Sequence, residues 1–149
     1  DELGLQAFVK TSGGKGLHLI VPLARRDGWD TVKAFAKAIA QFMTRQLPER
    51  FTATSGPKNR VGKIFIDYLR NARGASTVAA YSVRARPGLP VSVPVSREEL
   101  KGLRGAQQWT VANLHQRLQT LKDDPWAGYA NRQKISKTMW DQLGAEPPE

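Results

Sequence analysis

Residues 5–23, LQAFVKTSGGKGLHLIVPL, place three glycines between two short apolar runs. The flanking runs, Leu5 to Val9 and Leu17 to Leu23, are rich in aliphatic and aromatic residues that favour strands. The polar stretch between them has the small residues that are typical of a turn. The sequence therefore predicts a strand, a glycine loop and a second strand.

A helix is predicted directly after this pair of strands. Trp29 and Asp30 provide an apolar residue followed by an N-cap, and apolar residues then recur at helical spacing until Pro48 ends the run. We expect this helix to cover a sheet.

Two more strands are predicted, over Lys63–Leu69 and Ala79–Arg86. The first holds Asp67 in an otherwise apolar run. In the second, the two-residue period of a strand puts Arg84 and Arg86 on one face. A row of positive charge on a strand is the expected result.

The remainder of the chain reads as helical. Ser96 and Glu99 have the spacing of a capping box, Thr110 is expected to cap a helix with Leu114 and Leu118 on its apolar side, and a last helix is predicted near residues 135–143. Strands with an inserted helix in residues 1–95 are thus followed by helices in 96–149. The predicted fold class is α+β.

The charge of the chain limits its function. Its 149 residues contain 23 Lys and Arg against 13 Asp and Glu, a net charge of +10, which favours a polyanionic partner such as nucleic acid or nucleotide. A basic structural protein with a solvated surface is the alternative. The absence of cysteine excludes disulfides, cysteine zinc sites and thiol nucleophiles, so a metal site would need carboxylate or imidazole ligands.

No apolar run reaches the length of about 18 to 20 residues that crosses a bilayer. The first residues, Asp1 to Gly4, have neither a basic region nor an apolar region of the kind found in signal peptides. We therefore expect a protein without a membrane partner that is located in the cytoplasm.

The glycine loop has the components of a phosphate cradle. Its glycines can expose backbone N–H groups, Ser12 offers a hydroxyl, and Lys15 offers an ammonium group. It does not match the Walker A spacing, because Gly16 and not Ser or Thr follows Lys15 and no helix follows the loop, and the dinucleotide fingerprint also lacks its helix. A glycine-rich hairpin turn is the alternative, and a lone histidine in a strand such as His18 is more often a structural residue than a ligand.

Asp67 is the second candidate for chemistry. A carboxylate in an apolar strand has to be paired, solvated or bound to a metal ion. Divalent cations prefer oxygen ligands, so a metal ligand is one interpretation. An ion pair with Arg70, Arg84 or Arg86 is the other, and one carboxylate does not make a metal site.

Two long motifs resemble those of a known family. The run from Thr11 to Pro22 resembles the second motif of archaeo-eukaryotic primase-like polymerases, and most closely that of bacterial ligase D. The run from Ile64 to Asn71 resembles the third motif of this family, and Ala79–Gly88 resembles the strand that follows it. The resemblance continues through Gln107–Thr110 and the final helix. It implies that residues 1–149 form the carboxyl-terminal portion of a primase-polymerase domain, with a mixed or antiparallel sheet and flanking helices.

The resemblance also implies roles for individual residues. It makes Ser12, Lys15, His18 and Arg84 contacts of the nucleotide triphosphate, and Asp67 the catalytic ligand of a divalent metal ion, Mn²⁺ or Mg²⁺. Arg60 and Arg86 become contacts of DNA or nucleotide. Phosphoryl transfer depends chiefly on positioning and charge stabilisation, which such residues can supply.

The function implied by this family is template-directed nucleotidyl transfer in bacterial non-homologous end joining, with the parent protein filling gaps and extending ends. Its implied partners are DNA ends, NTP or dNTP, Ku and a ligase domain, and its location is close to the nucleoid. The family has an Asp-x-Asp pair upstream of the glycine loop, which these 149 residues lack. We therefore expect the chain alone to be inactive without the amino-terminal half of the domain. The alternative is a noncatalytic module that binds nucleotide or DNA.

Overall fold

The computed structural model describes residues 1–149. The chain forms two compact units. The first unit comprises Asp1–Pro22 and Val78–Gln133, and the second comprises Leu23–Thr77 and Lys134–Glu149. The strands are β1 (Phe8–Thr11), β2 (Leu17–Ile20), β3 (Phe51–Thr52), β4 (Ile64–Phe65) and β5 (Pro94–Val95); the helices are α1 (Trp29–Gln46), α2 (Leu114–Thr120) and α3 (Lys137–Leu143). This mixture confirms the α+β class. None of the helices combines the length and apolar character needed to cross a membrane.

The first unit is built on an antiparallel sheet with the strand order β2-β1-β5. All four residues of the central strand β1 are buried. Val9 lies opposite Leu19 of β2 on one side and opposite Val95 of β5 on the other. On the edge strand β2, Leu17 and Leu19 stay exposed. The predicted strand pair is confirmed, although β1 begins and ends later than expected and β2 is shorter.

Neither unit is continuous in sequence. Residues 96–133 belong to the same unit as β1 and β2, whereas α1 belongs to the other unit. Long-range contacts to the sheet, such as the bond from the indole Nε1 of Trp126 to the Val9 carbonyl (2.8 Å), account for this. The ring of Trp126 also contacts Phe8, with centroids 6.0 Å apart.

Helix α2 is organised by a buried arginine. Arg117 is its one buried residue, whereas Leu118 is exposed, so the predicted apolar side was wrong. The Arg117 guanidinium donates to both carboxylate oxygens of Glu99, at 2.5 and 3.0 Å, and to the Pro94 carbonyl at 2.9 Å. It also stacks 4.2 Å above the Trp109 ring. These contacts explain why the charge tolerates burial.

The second unit packs α1 against α3 and the short strand β3. Phe35 of α1 meets Trp140 of α3 edge to face, with ring centroids 5.2 Å apart. Helix α3 is the predicted last helix, and the Ser136 hydroxyl caps it by accepting the Met139 N–H at 3.3 Å. At the start of α1 the N-cap is Gly28, and the expected cap Asp30 lies inside the first turn, where a carboxylate favours the helix dipole.

The predicted strand over Lys63–Leu69 is confirmed only at Ile64–Phe65. These two residues pair in parallel with β3. Asp67 lies beyond the strand, exposed to solvent, and its Oδ1 accepts the Leu69 N–H at 2.9 Å. This local bond gives the backbone an alternative to a strand ladder, so the chain turns.

The predicted strand over Ala79–Arg86 was wrong. Only Val83 forms a β-bridge, to Val91. Tyr81 has a left-handed φ of 66°, which breaks the extended conformation, and the Arg86 N–H turns back to the Arg84 carbonyl at 2.9 Å. The residues from 78 to 92 therefore form an irregular segment, called here the 78–92 segment.

The Arg117–Glu99 pair makes the stability of the first unit depend on acid pH. Hydrogen bonds from Arg117 lower the pKa of Glu99 from its usual 4.5 to about 2, with a further contribution from the Ser96 N–H. A depressed carboxyl pKa stabilises the fold above about pH 4.5, and this contribution disappears as the pH falls towards 2. We expect Glu99→Gln to lower the free energy of unfolding at pH 7 by about 1–2 kcal/mol and to flatten its dependence on pH below 4.5.

Denaturant unfolding between pH 2 and 7 measures this effect. The control is Asp1→Asn, because the Asp1–Arg97 pair is exposed on both sides and is expected to contribute less than about 1 kcal/mol. Equal losses in the two variants would contradict the role assigned to the Arg117–Glu99 pair.

Candidate functional site

The glycine loop is a hairpin that Ser12 holds from within. The Ser12 N–H donates to the Gly16 carbonyl at 2.9 Å. The buried Ser12 hydroxyl accepts the N–H groups of Gly14 at 3.0 Å and Gly16 at 3.1 Å. The hairpin interpretation therefore describes the backbone correctly. Two of the amides that a phosphate cradle would expose already have a partner, and Lys15 is left pointing to solvent at the tip.

Two arginines of the 78–92 segment lie against this loop. Arg84 Nη1 donates to the Ser12 carbonyl at 2.8 Å. A side chain at Gly13 would meet Arg84 Cγ at 2.7 Å, and one at Gly14 would meet the Arg86 guanidinium at 3.4 Å. The glycines therefore leave the space that these side chains occupy. Together with Lys15, the arginines form a cluster of three cations, called here the loop cluster, and such a cluster attracts anions.

A third stretch of chain braces the loop. The Gly13 N–H donates to the Ala106 carbonyl at 3.0 Å, and Gln107 Nε2 donates to the Gly14 carbonyl at 3.2 Å. Residue spacing did not indicate either contact, because 93 positions separate Gln107 from Gly14. The only signal was the position of Gln107 within the family resemblance.

His18 lies on β2, directly opposite Lys10 of β1 in the strand register. It is half-buried. Lys10 is the functional candidate that sequence reasoning missed: only 1% of its surface is exposed, and its ammonium group donates to the Val78 carbonyl at 2.5 Å and to Ser92 Oγ at 2.7 Å. Burial and the nearby charge of Arg84 lower the pKa of Lys10 from 10.5 to about 8.

Two of the predicted site residues lie in the second unit. Arg60 ends a 3₁₀-helix, Pro57–Arg60, and its guanidinium lies 5.0 Å from the centroid of the Phe65 ring. Asp67 is exposed and makes its local bond to Leu69. Neither residue takes part in an ion pair, since both salt bridges of the protein lie elsewhere. Of the states considered for Asp67, the structure shows the solvated one.

The residues of this chain do not by themselves complete a metal site. No group of three or more His, Asp or Glu side chains lies close enough together to hold an ion. Asp67 keeps one carboxylate oxygen, Oδ2, that no hydrogen bond occupies. At Asp67 this chain therefore offers one carboxylate ligand, and no reaction step through a metal ion follows from its geometry.

Comparison with known proteins decides the family. The sequence model described as "LigD, primase-polymerase domain" matches residues 1–126. The chain belongs to the LigD primase-polymerase family. Its expected fold within that family is confirmed by the polymerase domain of Mycobacterium tuberculosis ligase D, solved in complex with DNA, which superposes with a TM-score of 0.77 at 30% identity.

Full-length members of the LigD family are considerably longer than this chain. The multifunctional non-homologous end joining protein LigD of Pseudomonas aeruginosa is 70% identical over 146 residues, which cover 97% of this chain and 17% of that protein. The bifunctional LigD of Bacillus subtilis is 32% identical over 102 residues, covering 68% of this chain and 17% of that protein. The solved mycobacterial domain is matched over 89% of this chain and 46% of its own length.

The close approach of Gly13 to Arg84 can be tested directly. Gly13 has a φ of +68°, so Gly13→Ala introduces backbone strain and displaces the Arg84 side chain. We expect the free energy of unfolding to fall by about 1–2 kcal/mol. Gly16→Ala is the matched control, because a side chain there has open space and no positive φ is involved. Thermal and denaturant unfolding compare the two, and an equal loss in both variants would contradict the described packing.

Proposed function

We propose that this chain forms the nucleotide-binding part of a polymerase domain that fills gaps and extends DNA ends in bacterial non-homologous end joining. The observation that carries the proposal is the loop cluster, in which Lys15, Arg84 and Arg86 gather at a preformed hairpin in a member of the LigD family. The natural ligand of such a cluster is the triphosphate of an incoming NTP or dNTP.

The chemistry of the loop supports this ligand. Ser12 Oγ accepts two backbone N–H groups, so its own hydrogen remains available to donate to a phosphate oxygen. Lys15 would supply a mobile ammonium group at the loop tip, and Arg84 a guanidinium held by the Ser12 carbonyl. His18 on β2 is the remaining triphosphate contact of the proposal. Charge-assisted bonds of this kind orient a triphosphate and stabilise the charge that develops during transfer.

Asp67 has a separate part in the proposal, as one carboxylate ligand of Mn²⁺ or Mg²⁺. The ion would supply neutralisation of phosphate charge when bound. The Asp-x-Asp carboxylates that complete the site in this family are absent from these 149 residues. Turnover is therefore proposed only for the complete domain, and the chain alone is proposed to be inactive.

DNA is the proposed polymeric partner. The net charge of +10 favours it, and the mycobacterial polymerase domain was solved with DNA. Arg60 and Arg86, both exposed, are the proposed contacts of DNA or nucleotide. Ku and a ligase domain are proposed as further partners of the parent protein, which would act in the cytoplasm at the nucleoid.

A noncatalytic module that binds nucleotide or DNA is the second candidate. The observation that favours it is the lack of any three-residue carboxylate or imidazole cluster. The two candidates separate when Asp67→Asn is tested in a complete polymerase domain containing this chain. Loss of primer extension with retained DNA binding supports the enzyme, and unchanged extension contradicts the metal assignment.

Binding of ATP tests the loop cluster itself. We expect Lys15→Ala and Arg84→Ala each to weaken binding by about tenfold or more, because each removes a charge-assisted contact. Arg97→Ala is the matched control, since it removes one positive charge from an exposed residue of the same unit that pairs with Asp1. Calorimetric titration measures the three affinities. An equal loss of ATP affinity in the control would mean that only the net charge of the chain matters. That result would contradict a specific site.

A further inference from the structure

Lys10 occupies a position at which a lysine is costly. It sits on the central strand β1, almost wholly inaccessible to solvent, and none of the proposed contacts with nucleotide, metal or DNA uses it. Burial of a lysine ammonium group is unfavourable unless hydrogen bonds compensate for lost hydration. Its two bonds, to the Val78 carbonyl and to Ser92 Oγ, supply that compensation from a single part of the chain, the 78–92 segment.

The bonds of Lys10 continue into the backbone next to the glycine loop. Ser92 Oγ, which accepts from Lys10, donates in turn to the Thr11 carbonyl at 2.7 Å. Thr11 directly precedes Ser12, the residue that holds the hairpin. The backbone of Ser92 is itself tied to the 78–92 segment, because its carbonyl accepts the Tyr81 N–H at 2.6 Å. A short chain of hydrogen bonds therefore runs from Lys10 to the loop.

The 78–92 segment contains no regular strand. Left-handed residues at Tyr81 and Leu89 interrupt it, and separate backbone bonds such as that from the Arg84 N–H to the Pro90 carbonyl (2.8 Å) hold it in place of a regular strand. It nevertheless carries Arg84 and Arg86 of the loop cluster. Lys10 contacts this segment at both ends, at Val78 and at Ser92, with the arginines in between.

We propose that Lys10 is a positioning residue of the loop cluster: it holds both ends of the 78–92 segment against β1 and thereby keeps Arg84 and Arg86 beside the glycine loop. The role of the loop as an anion site rests on the proposed function. The anchoring of the segment by Lys10 stands on the geometry of the free chain.

The charge of Lys10 predicts a pH dependence of anion binding. A side chain that only filled space would not produce it. The ionisable groups around Lys10 are Arg84 in the 78–92 segment and His18 on the neighbouring strand β2. Residues 91–95 contain no ionisable side chain. Desolvation and then the charge of Arg84 lower the pKa of Lys10 to about 8. An anion that neutralises the loop cluster would raise this pKa again and so favour protonated Lys10. Anion binding should then weaken as the pH rises through about 8.

Amide hydrogen exchange of the ligand-free chain tests the anchoring. We expect Lys10→Met to accelerate exchange at least tenfold at the N–H groups of Arg84, Gly14 and Gly16, with no change in α1 of the other unit. Ser92→Ala, which keeps the lysine and removes the link to Thr11, should act in the same direction. If Lys10→Met unfolds the whole chain, Ser92→Ala alone tests the proposal. Exchange within twofold of the unmodified protein at these amides in Ser92→Ala, and in a folded Lys10→Met, overturns the proposal.

Metal-free ATP binding between pH 7.5 and 9.5 provides the second readout, because the phosphates are ionised throughout this range. Affinity should fall about tenfold across the range in the unmodified chain. In Lys10→Arg, whose charge does not titrate, it should stay constant. If the ATP affinity of the two proteins depends on pH equally, Lys10 contributes packing alone and the proposed role is overturned. If the unmodified chain binds no ATP, the proposed function fails, while hydrogen exchange still decides whether Lys10 anchors the segment.

Discussion

The first unit depends on the hydrogen bonds of strand β1, whose backbone and polar side chains all need partners. Its backbone pairs with β2 and β5, while its side chains Lys10 and Thr11 bond to Ser92 and to the backbone of Val91 and Val93. The strand is buried, so each polar group on it needs a partner from the protein. These partners are residues 91–93, at the end of the 78–92 segment, whose Arg84 and Arg86 lie beside the glycine loop.

Local signals in the sequence predict the elements whose cause is local. Three glycines between two apolar runs indicated the hairpin, and the helical period of the run after Asp30 indicated α1. The strand prediction failed at Asp67 and Tyr81 because a bond to Leu69 and a left-handed backbone decide the conformation there. Strand propensity carries no information about either of them.

The same distinction between local and long-range causes applies to the candidate site. Ser12, Lys15 and Arg84 could be named as candidates because they lie in long motifs. Lys10 and Arg117 could not, because their burial depends on partners that are distant in sequence, 82 positions away for Lys10 and Ser92. A lysine or arginine in a sequence reads by default as a surface residue. Only the tertiary structure shows that both are buried, Lys10 on β1 next to the loop and Arg117 on the inner face of α2.

The Ser12 hydroxyl has a consequence for the entropy of binding. Because it already fixes the N–H groups of Gly14 and Gly16, the backbone of the loop has little conformational freedom left to lose when a ligand arrives. The freedom that remains lies in the exposed side chains of Lys15 and Arg86, and immobilising each one costs about 1–2 kcal/mol. For the proposed triphosphate ligand, affinity would therefore be limited by the ordering of two long side chains, because the hydrogen bonds of the loop backbone are present before binding.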